Sequence, residues 1–301
     1  MLGGRPGVSG RSERIVNGRR APARGRGTRP GPPARGRGQR GSTPIRREGA
    51  SRARALGGEQ VEGRHAVREL LLAGTRRTRE VILASDLDPA PIIDDIIDLA
   101  DENKVRIREV GRNKFESMAR TDAPQGVLAF AAPLREHELD ELVSRDAHGN
   151  KPFLLLIDGV TDPGNLGALL RTAECAGVTG VVLPRHRAAH VTPTVTKSAA
   201  GAIEHLRMAT VPGLAGALSA LSARDVWTVG LEAAAPTSLF DLTLADAAVA
   251  LVLGAEGTGL SKLVRQRCDV LVSIPLRGRL NSLNVSVAGA LACFEVTRRR
   301  V

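Results

Sequence analysis

The second half of the chain carries the feature that most restricts its fold. From Pro152 onward, short and nearly continuous apolar segments alternate with segments of helical pattern. The apolar segments read FLLLIDGV, GVVLP, RMATV, DVWTVGLE, AVALVLGAE and VLVSIPL. A strand that is apolar on both faces must be covered on both faces, and helices between consecutive strands provide that cover in parallel sheets. The sequence therefore predicts an α/β fold with a parallel sheet over residues 152–301.

A smaller α/β region precedes this one. Residues 61–74 predict a helix that ends at Gly74, and the strand REVILAS follows it. The segment PAPIIDDIIDLADENKV has its apolar residues at helical spacing, and RIREVG and GVLAFAA have the pattern of strands. We expect a separate αβαβ-type domain over residues 58–133.

A polar segment joins the two predicted domains. Over residues 134–151, the side chains of Leu134, Leu139, Leu142 and Val143 fit a linking helix. DAHGNK then has the composition of a turn. We interpret these residues as a linker.

The positive charge of the chain is concentrated at its start. Residues 1–55 contain fifteen Arg and two Glu, although the whole chain has a net charge of only +11. Arg, Gly and Pro dominate there, so residues 1–57 are predicted to be a disordered tail. Such a tail fits contact with RNA phosphates. A leader without a binding role is the alternative.

Composition excludes several other classes of protein. No run of 18 apolar residues indicates a transmembrane helix. Five Phe, one Trp and no Tyr are too few for an RNA platform of stacked aromatic rings. The three cysteines, Cys175, Cys268 and Cys293, are far apart and lie among apolar residues. They predict reduced core thiols of a cytoplasmic protein and no metal site.

Three loops that follow predicted strands concentrate polar residues. In DGVTDPGNLGALLRTAECAG, Asn165 stands where a helix N-cap is expected, and Arg171 follows within the helix. Open α/β sheets bind ligands at the carboxyl ends of their strands, which favours a site there. The alternative is that Asn165 only caps the helix and that Arg171 is a solvated side chain outside any site.

The second loop is LVLGAEGTGLS. Gly254, Gly257 and Gly259 would let backbone N–H groups approach a ligand. Glu256 is the one charged residue of this loop, and it can instead accept hydrogen bonds from loop N–H groups or an arginine. By itself a glycine-rich loop is a weak signal.

The third loop opens the last predicted helix, in IPLRGRLNSLNVSVAGALACFEVTR. Ser282 and Asn284 can cap that helix, with Asn281 and Ser286 beside them. Four Ser and Asn side chains among six residues exceed what one helix start requires. We therefore expect Ser282 and Asn284 to face the same cleft as Asn165 and Arg171.

These three loops together resemble the SpoU (TrmH) family of RNA 2′-O-ribose methyltransferases, within the SPOUT superfamily. The matching pieces NLGALLRTAECAG, LVLGAEGTGLS and IPLRGRLNSLNVSVAGALACFEVTR occur in family order over residues 154–298. GRHAVREL and PQGVLA also resemble the small substrate-binding domain of RlmB-like members. Those members have His where Pro124 precedes Gln125, so a contact from that position is not carried over.

The resemblance implies a fold and a cofactor. It implies a trefoil knot in the catalytic domain, S-adenosylmethionine bound by the knot loops, and a homodimer with the active site near the subunit interface. The implied cofactor-binding residues are Gly254, Glu256, Gly257, Ile274, Leu276, Ser282, Leu283 and Asn284. The implied catalytic residues are Arg171, with Asn165, Ser282 and Asn284 in supporting roles.

The activity implied is 2′-O-methylation of RNA, with a guanosine of 23S ribosomal RNA as the expected target. A tRNA or another ribosomal nucleotide is an alternative substrate. A catalytically silent protein of ribosome assembly is the alternative of another class. Whether Arg171 acts as a base or anchors a phosphate and an oxyanion stays open, since a guanidinium is a poor base.

Overall fold

The computed structural model describes residues 56–144, 149–186, 190–244 and 246–300. The predicted tail, residues 1–57, therefore lies outside the described residues apart from Leu56 and Gly57. Within the described ranges the chain forms an α/β fold with two sheets, of four and seven strands. No helix among these residues is both long and apolar enough to span a membrane.

The first sheet has the strand order β1-β4-β2-β3. Its strands are β1 (Gln60–Glu62), β2 (Thr78–Ala84), β3 (Arg106–Val110) and β4 (Val127–Ala131). The intervening helices are α1 (Arg64–Ala73), α2 (Pro91–Glu102) and α3 (Arg112–Met118). Only the β2–β3 pairing is parallel, and β4 runs antiparallel to β1 and β2. We call residues 60–131 the four-stranded region.

The sequence predicted part of this region. Helix α1 ends at Gly74, which has the left-handed φ of 57° expected for a C-cap. The predicted αβαβ order is confirmed by α1, β2, α2 and β3, but the prediction missed β1 and α3. Strand β1 lacks an apolar alternation, since it buries Gln60 and Glu62. The Glu62 carboxylate accepts hydrogen bonds from Gln60 Nε2 and from the N–H of Arg120 and Thr121.

A single turn of helix, α4 (Leu139–Leu142), occupies the predicted linker. Leu134 is buried but precedes it, and Glu136 forms an isolated parallel bridge with Met208. The N–H of His137 donates to Met208 O at 2.8 Å. The linking helix is therefore shorter than predicted, because the chain first pairs with the edge of the second sheet.

The second sheet has the strand order β7-β6-β5-β10-β8-β11-β9, and its pairings are all parallel within the described ranges. Its strands are β5 (Phe153–Ile157), β6 (Gly180–Pro184), β7 (Met208–Val211), β8 (Trp227–Leu231), β9 (Thr237–Ser238), β10 (Val249–Leu253) and β11 (Val270–Ser273). The helices are α5 (Pro163–Cys175), α6 (Pro193–Ser198), α7 (Leu214–Ser222), α8 (Lys262–Arg267) and α9 (Val285–Arg300). The predicted parallel sheet is confirmed.

Both faces of this sheet are covered. Leu155 of β5 belongs to an apolar cluster with Leu169 of α5 and Val296 of α9. Its neighbour Leu154 points to the other face and joins a cluster with Leu218 of α7. Every residue of β5 is buried. This double burial explains why the strand sequences are apolar without alternation.

Candidate active site

A cavity of about 250 Å³ opens at the carboxyl ends of three parallel strands, β8, β10 and β11. Its lining residues are Leu231, Glu232, Ala233, Leu253, Gly254, Ala255, Glu256, Gly257, Thr258, Gly259, Val272, Ile274, Leu276, Asn281, Ser282, Leu283, Val285 and Ala288. We call this space the strand-end cavity. It contains seven of the eight residues that the resemblance assigned to the cofactor, and the eighth, Asn284, lies beside it.

The glycine-rich loop bends back on itself at this cavity. Ala255 and Gly259 exchange two backbone hydrogen bonds, of 3.1 and 2.9 Å. A Cβ on Gly254 would lie 2.1 Å from the carbonyl carbon of Gly259. Gly257 and Gly259 have left-handed φ angles of 74° and 65°. These glycines are therefore required by the closure of the loop itself, apart from any approach of a ligand.

Three side chains from three separate loops meet in one hydrogen-bonded cluster. The Glu256 carboxylate accepts from Asn165 Nδ2 at 2.8 Å and from Asn284 Nδ2 at 2.9 Å. Asn284 Nδ2 also donates to Asn165 Oδ1 at 3.0 Å. We call these three residues the Asn–Glu–Asn cluster. The structure thus brings Asn165 and Asn284 together, as predicted, and assigns Glu256 to both amides instead of to an arginine.

The start of α5 leaves the Asn165 side chain free for this cluster. The helix begins at Pro163, and the N-cap is Asp162, whose carboxylate accepts from the Asn165 N–H at 2.7 Å. The prediction that Asn165 is the N-cap is therefore wrong. Pro is favoured in the first helical turn and Asp at the cap, so DPGN contains the correct signal.

Asn284 combines capping with a contact in the site. Its Oδ1 accepts from the N–H of Ser286 at 2.8 Å and of Val287 at 3.4 Å, at the first turn of α9. Its Nδ2 is the group that reaches Glu256. Asn284 therefore both caps α9 and belongs to the candidate site, whereas Ser282 lines the cavity.

Arg171 does not line the strand-end cavity. It lines a second cavity of about 310 Å³, with His65, Glu69, Glu174, Cys175, Ala199, Ala200, Ala202 and His205. Six residues along an α-helix make about 1.7 turns, so Asn165 and Arg171 project from different sides of α5. The expectation of one cleft for Asn165, Arg171, Ser282 and Asn284 is therefore wrong within a single chain. We call this second space the Arg171 cavity.

The cysteines differ in environment. Cys293 is buried and Cys268 is partly buried, and burial raises the pKa of each thiol to about 12. Cys175 is exposed at the Arg171 cavity, so the prediction of a core thiol is wrong there. Across the described ranges, no three His, Cys, Asp or Glu side chains are grouped to hold a metal ion.

One wall of the strand-end cavity was not predicted from the sequence. Leu231 is the last residue of β8, and Glu232 and Ala233 follow it; the end of this strand lies at the same edge as those of β10 and β11. The signal was available in principle, because carboxyl ends of parallel strands share an edge. The strand order was needed to use it.

Comparison with known proteins now identifies the family. Residues 152–294 match the profile of the SpoU rRNA Methylase family, and residues 60–137 match the profile "RNA 2'-O ribose methyltransferase substrate binding". A 23S rRNA (guanosine-2'-O-)-methyltransferase RlmB of Xylella fastidiosa is 44% identical over 209 residues, which are 68% of this chain and 83% of the relative. The chain belongs to the SpoU rRNA methylase family. The resemblance read from the three loops is thereby confirmed.

Another relative and one solved structure are also similar to this chain. A putative TrmH family tRNA/rRNA methyltransferase of Bacillus subtilis, YacO, is 40% identical over 206 residues, 68% of this chain and 82% of YacO. The crystal structure of the SpoU methyltransferase AviRb from Streptomyces viridochromogenes, in complex with AdoMet, shares the fold with a TM-score of 0.66. It is 24% identical, and the match covers 80% of this chain and 89% of AviRb. The trefoil knot, the homodimer and the domain boundaries stay predictions.

Proposed function

We propose that this chain transfers a methyl group from S-adenosylmethionine to a ribose 2′-oxygen of RNA, with a guanosine of 23S ribosomal RNA as the substrate. The observation that supports this most is the strand-end cavity, where three loops of the SpoU family sequence meet around the Asn–Glu–Asn cluster. Ribosomal RNA as substrate also implies that the protein acts in the cytoplasm.

The donors and walls of the strand-end cavity fit S-adenosylmethionine. Leu231, Ile274 and Leu276 offer apolar surface for an adenine ring, and Ser282 and the backbone of the loop offer polar groups. The carboxylate of Glu256 places negative charge at a site for a cationic sulfonium. When bound, the cofactor supplies an electrophilic methyl group, and the described residues hold and orient it.

Methyl transfer needs a 2′-hydroxyl that is aligned with the methyl group of the cofactor, and it requires little covalent chemistry from the protein. We assign to Asn165, Glu256 and Asn284 the task of fixing the three loops relative to one another. Ser282 would contact the cofactor or the ribose from the wall of the cavity. Arg171 is exposed, and a guanidinium donates hydrogen bonds without accepting a proton. We therefore assign it to a phosphate of the RNA and to the developing negative charge on oxygen.

A homodimer is part of this proposal. Helix α9 exposes Val287, Leu291 and Phe294 by 48%, 41% and 50%, at a spacing that places them on one side of the helix. Leu283, which is 39% exposed, precedes α9 by two residues in the sequence and lines the strand-end cavity. We call these four residues the α9 stripe. A second copy that covers the stripe would place the subunit interface next to the cofactor cavity.

The choice of substrate rests on the relatives. The RlmB protein of Xylella fastidiosa is named for a guanosine of 23S rRNA. YacO is named for tRNA or rRNA, which keeps tRNA as the second candidate. The match of residues 60–137 to an RNA substrate-binding profile supports an RNA substrate in either case.

The test is methyl transfer from labelled S-adenosylmethionine to ribosomal RNA and to tRNA, followed by mapping of ribose methylation. We expect one 2′-O-methylguanosine in 23S rRNA and no product with tRNA. Product in tRNA alone would overturn the choice of substrate. Binding of S-adenosylmethionine without methylation of any RNA would favour the catalytically silent alternative.

A further inference from the structure

The four-stranded region is attached to the seven-stranded sheet by more than the chain that connects them. Arg76, in the turn between α1 and β2, forms a two-point ion pair with Glu204, in the short 3₁₀ turn before β7. Arg76 Nε lies 2.9 Å from Glu204 Oε2, and Nη2 lies 2.6 Å from Oε1. The side chains are 6% and 0% exposed. The two partners are 128 residues apart in sequence.

The same guanidinium also holds the two ends of the four-stranded region. Arg76 Nη1 donates to Gly58 O at 2.7 Å and to Ala132 O at 2.5 Å. Gly58 precedes β1 and Ala132 follows β4, so one side chain joins both ends of the four-stranded region to the 3₁₀ turn before β7. Each of these bonds is directional, and the planar fork of arginine fixes an orientation as well as a distance.

Further contacts surround this ion pair. Glu69 Oε2 on α1 lies 3.0 Å from His205 Nε2. Gly201, with a φ of 89°, approaches α1 so closely that a Cβ would lie 2.3 Å from the Cβ of Glu69. Ala200, beside it, holds a left-handed φ of 50°, which costs a non-glycine residue conformational energy. A backbone held in this way indicates a fixed contact between the two regions and argues against a flexible attachment. We call the contacts among Glu69, Arg76, Gly201, Glu204 and His205 the joint.

The joint forms a wall of the Arg171 cavity. His65 and Glu69 come from α1 of the four-stranded region, whereas Ala200 and His205 come from the segment that carries Glu204. A rotation at the joint would therefore move the four-stranded region relative to Arg171. If RNA is bound to the four-stranded region, the ribose to be methylated would move together with that region, away from its position relative to Arg171.

We propose that Arg76 and Glu204 are positioning residues that hold the four-stranded region in one orientation, so that bound RNA meets Arg171 correctly during methylation. This inference rests on the proposed function. A buried ion pair is a weak means of adding stability, since well-packed apolar replacements are often as stable. A buried ion pair is better suited to fixing the orientation of the four-stranded region relative to the seven-stranded sheet, because its hydrogen bonds are directional.

The first arm of the test measures methylation kinetics. The double substitution Arg76→Met with Glu204→Leu removes both charges together and leaves no unpaired buried ion. We expect kcat at saturating RNA to fall about tenfold to a hundredfold, because small misplacements of reacting groups are costly. The KM for RNA and the Kd for S-adenosylmethionine should stay within about twofold. Arg76→Lys, which keeps the charge and loses the fork, should be intermediate.

A matched control is Glu80→Gln. Glu80 forms a two-point pair with Arg108, at 3.2 and 3.4 Å, wholly inside the four-stranded sheet. Its loss should leave kcat unchanged if orientation at the joint is what matters.

The second arm measures the joint without any activity. Spin labels at Ile97→Cys on α2 and Leu263→Cys on α8, two exposed positions, report the distance between the two regions. Cys175→Ser removes the exposed native thiol, and dilution with unlabelled protein keeps each measured pair within one chain. We expect a narrow distance distribution in the parent protein and a broadened one in the Arg76→Met/Glu204→Leu variant.

The proposal requires both changes together. A lowered kcat without broadening, or broadening with full kcat, would overturn it, as would a double variant that behaves like the parent in both arms. If the parent protein methylates no RNA, the proposed function fails, and the distance arm still decides whether Arg76 and Glu204 hold the joint.

Discussion

At the scale of single residues, Glu256 connects the other two members of the Asn–Glu–Asn cluster. Its carboxylate accepts hydrogen bonds from two amides that belong to different loops. Both amides donate to the same oxygen, Oε1, so glutamine can keep both hydrogen bonds through its amide oxygen and loses only the negative charge. Asn165 and Asn284 both donate to Glu256, although Asn284 also caps a helix and Asn165 does not.

We predict that Glu256→Gln lowers methylation by about tenfold or more, because two hydrogen bonds to a charged oxygen become hydrogen bonds to a neutral one, each weaker by about 1 kcal/mol. The melting temperature should change little, because the cluster is exposed. Single-turnover methylation and equilibrium binding of S-adenosylmethionine would measure the effect. Glu102→Gln, at an exposed position in α2, is the control. Equal turnover in the Glu256 and Glu102 variants would contradict the role of the cluster.

The three thiols give a second prediction for single residues. Burial raises the pKa of all three thiols, to about 12 for Cys268 and Cys293, but Cys175 is the one that is exposed. The thiolate is the reactive form, so iodoacetamide at pH 8 should label Cys175 alone in the folded protein. Mass spectrometry before and after denaturation should find one adduct and then three. An adduct on Cys293 in the folded protein would show that α9 opens readily.

Among the elements, the long buried ones were predictable and the short polar ones were not. Strands such as β5 and β10 are apolar throughout, because they are covered on both faces. Strand β9 has two residues, and β1 buries polar side chains that hydrogen bonds satisfy. Their existence depends on partners remote in sequence, which no local pattern contains.

The candidate site was also predictable only in part. The lining by Gly254, Ile274 and Ser282 followed from the family motifs, and it lies at the strand ends where parallel sheets bind ligands. The separation of Arg171 from Asn165 depends on helical phase, and the phase was misjudged because α5 begins at Pro163 with Asp162 as its cap. The contacts of Arg76 with Glu204 could not be read from the sequence at all.

Helix α9 carries a prediction about pH. Hydrogen bonds from Arg298 and then Arg299 hold the pKa of Glu295 at about 2, below its ordinary value of 4.5. A carboxyl group with a lowered folded-state pKa stabilises the fold above pH 4.5, and that contribution is lost as the pH falls toward 2. Glu295→Gln should therefore lower the melting temperature at pH 7 and have a smaller effect at pH 3. Thermal unfolding at the two pH values tests this, and an equal effect at both would contradict the assignment.

At the scale of the whole molecule, the proposed function requires two cavities to act on one ribose. We assign the cofactor to the strand-end cavity, and the Arg171 cavity contains the arginine to which we assign the RNA phosphate. Within one chain they have no lining residue in common among the described ranges. In the homodimer that we propose, contact through the α9 stripe would place a second subunit next to the strand-end cavity, because Leu283 belongs to the stripe and lines that cavity.

Leu291→Arg tests this arrangement. A guanidinium at a buried apolar interface costs desolvation energy without a partner, so the variant should be monomeric and its methylation should fall at least tenfold. Leu72→Arg, on α1, is the matched control, because Leu72 is 52% exposed and lies outside the stripe. Light scattering coupled to size-exclusion chromatography would measure the mass, and circular dichroism would verify folding. A dimer that survives in the Leu291→Arg variant would move the interface elsewhere. A fully active monomer would remove the dimer from the mechanism, because one chain would then bring Arg171 and the strand-end cavity to the same ribose unaided.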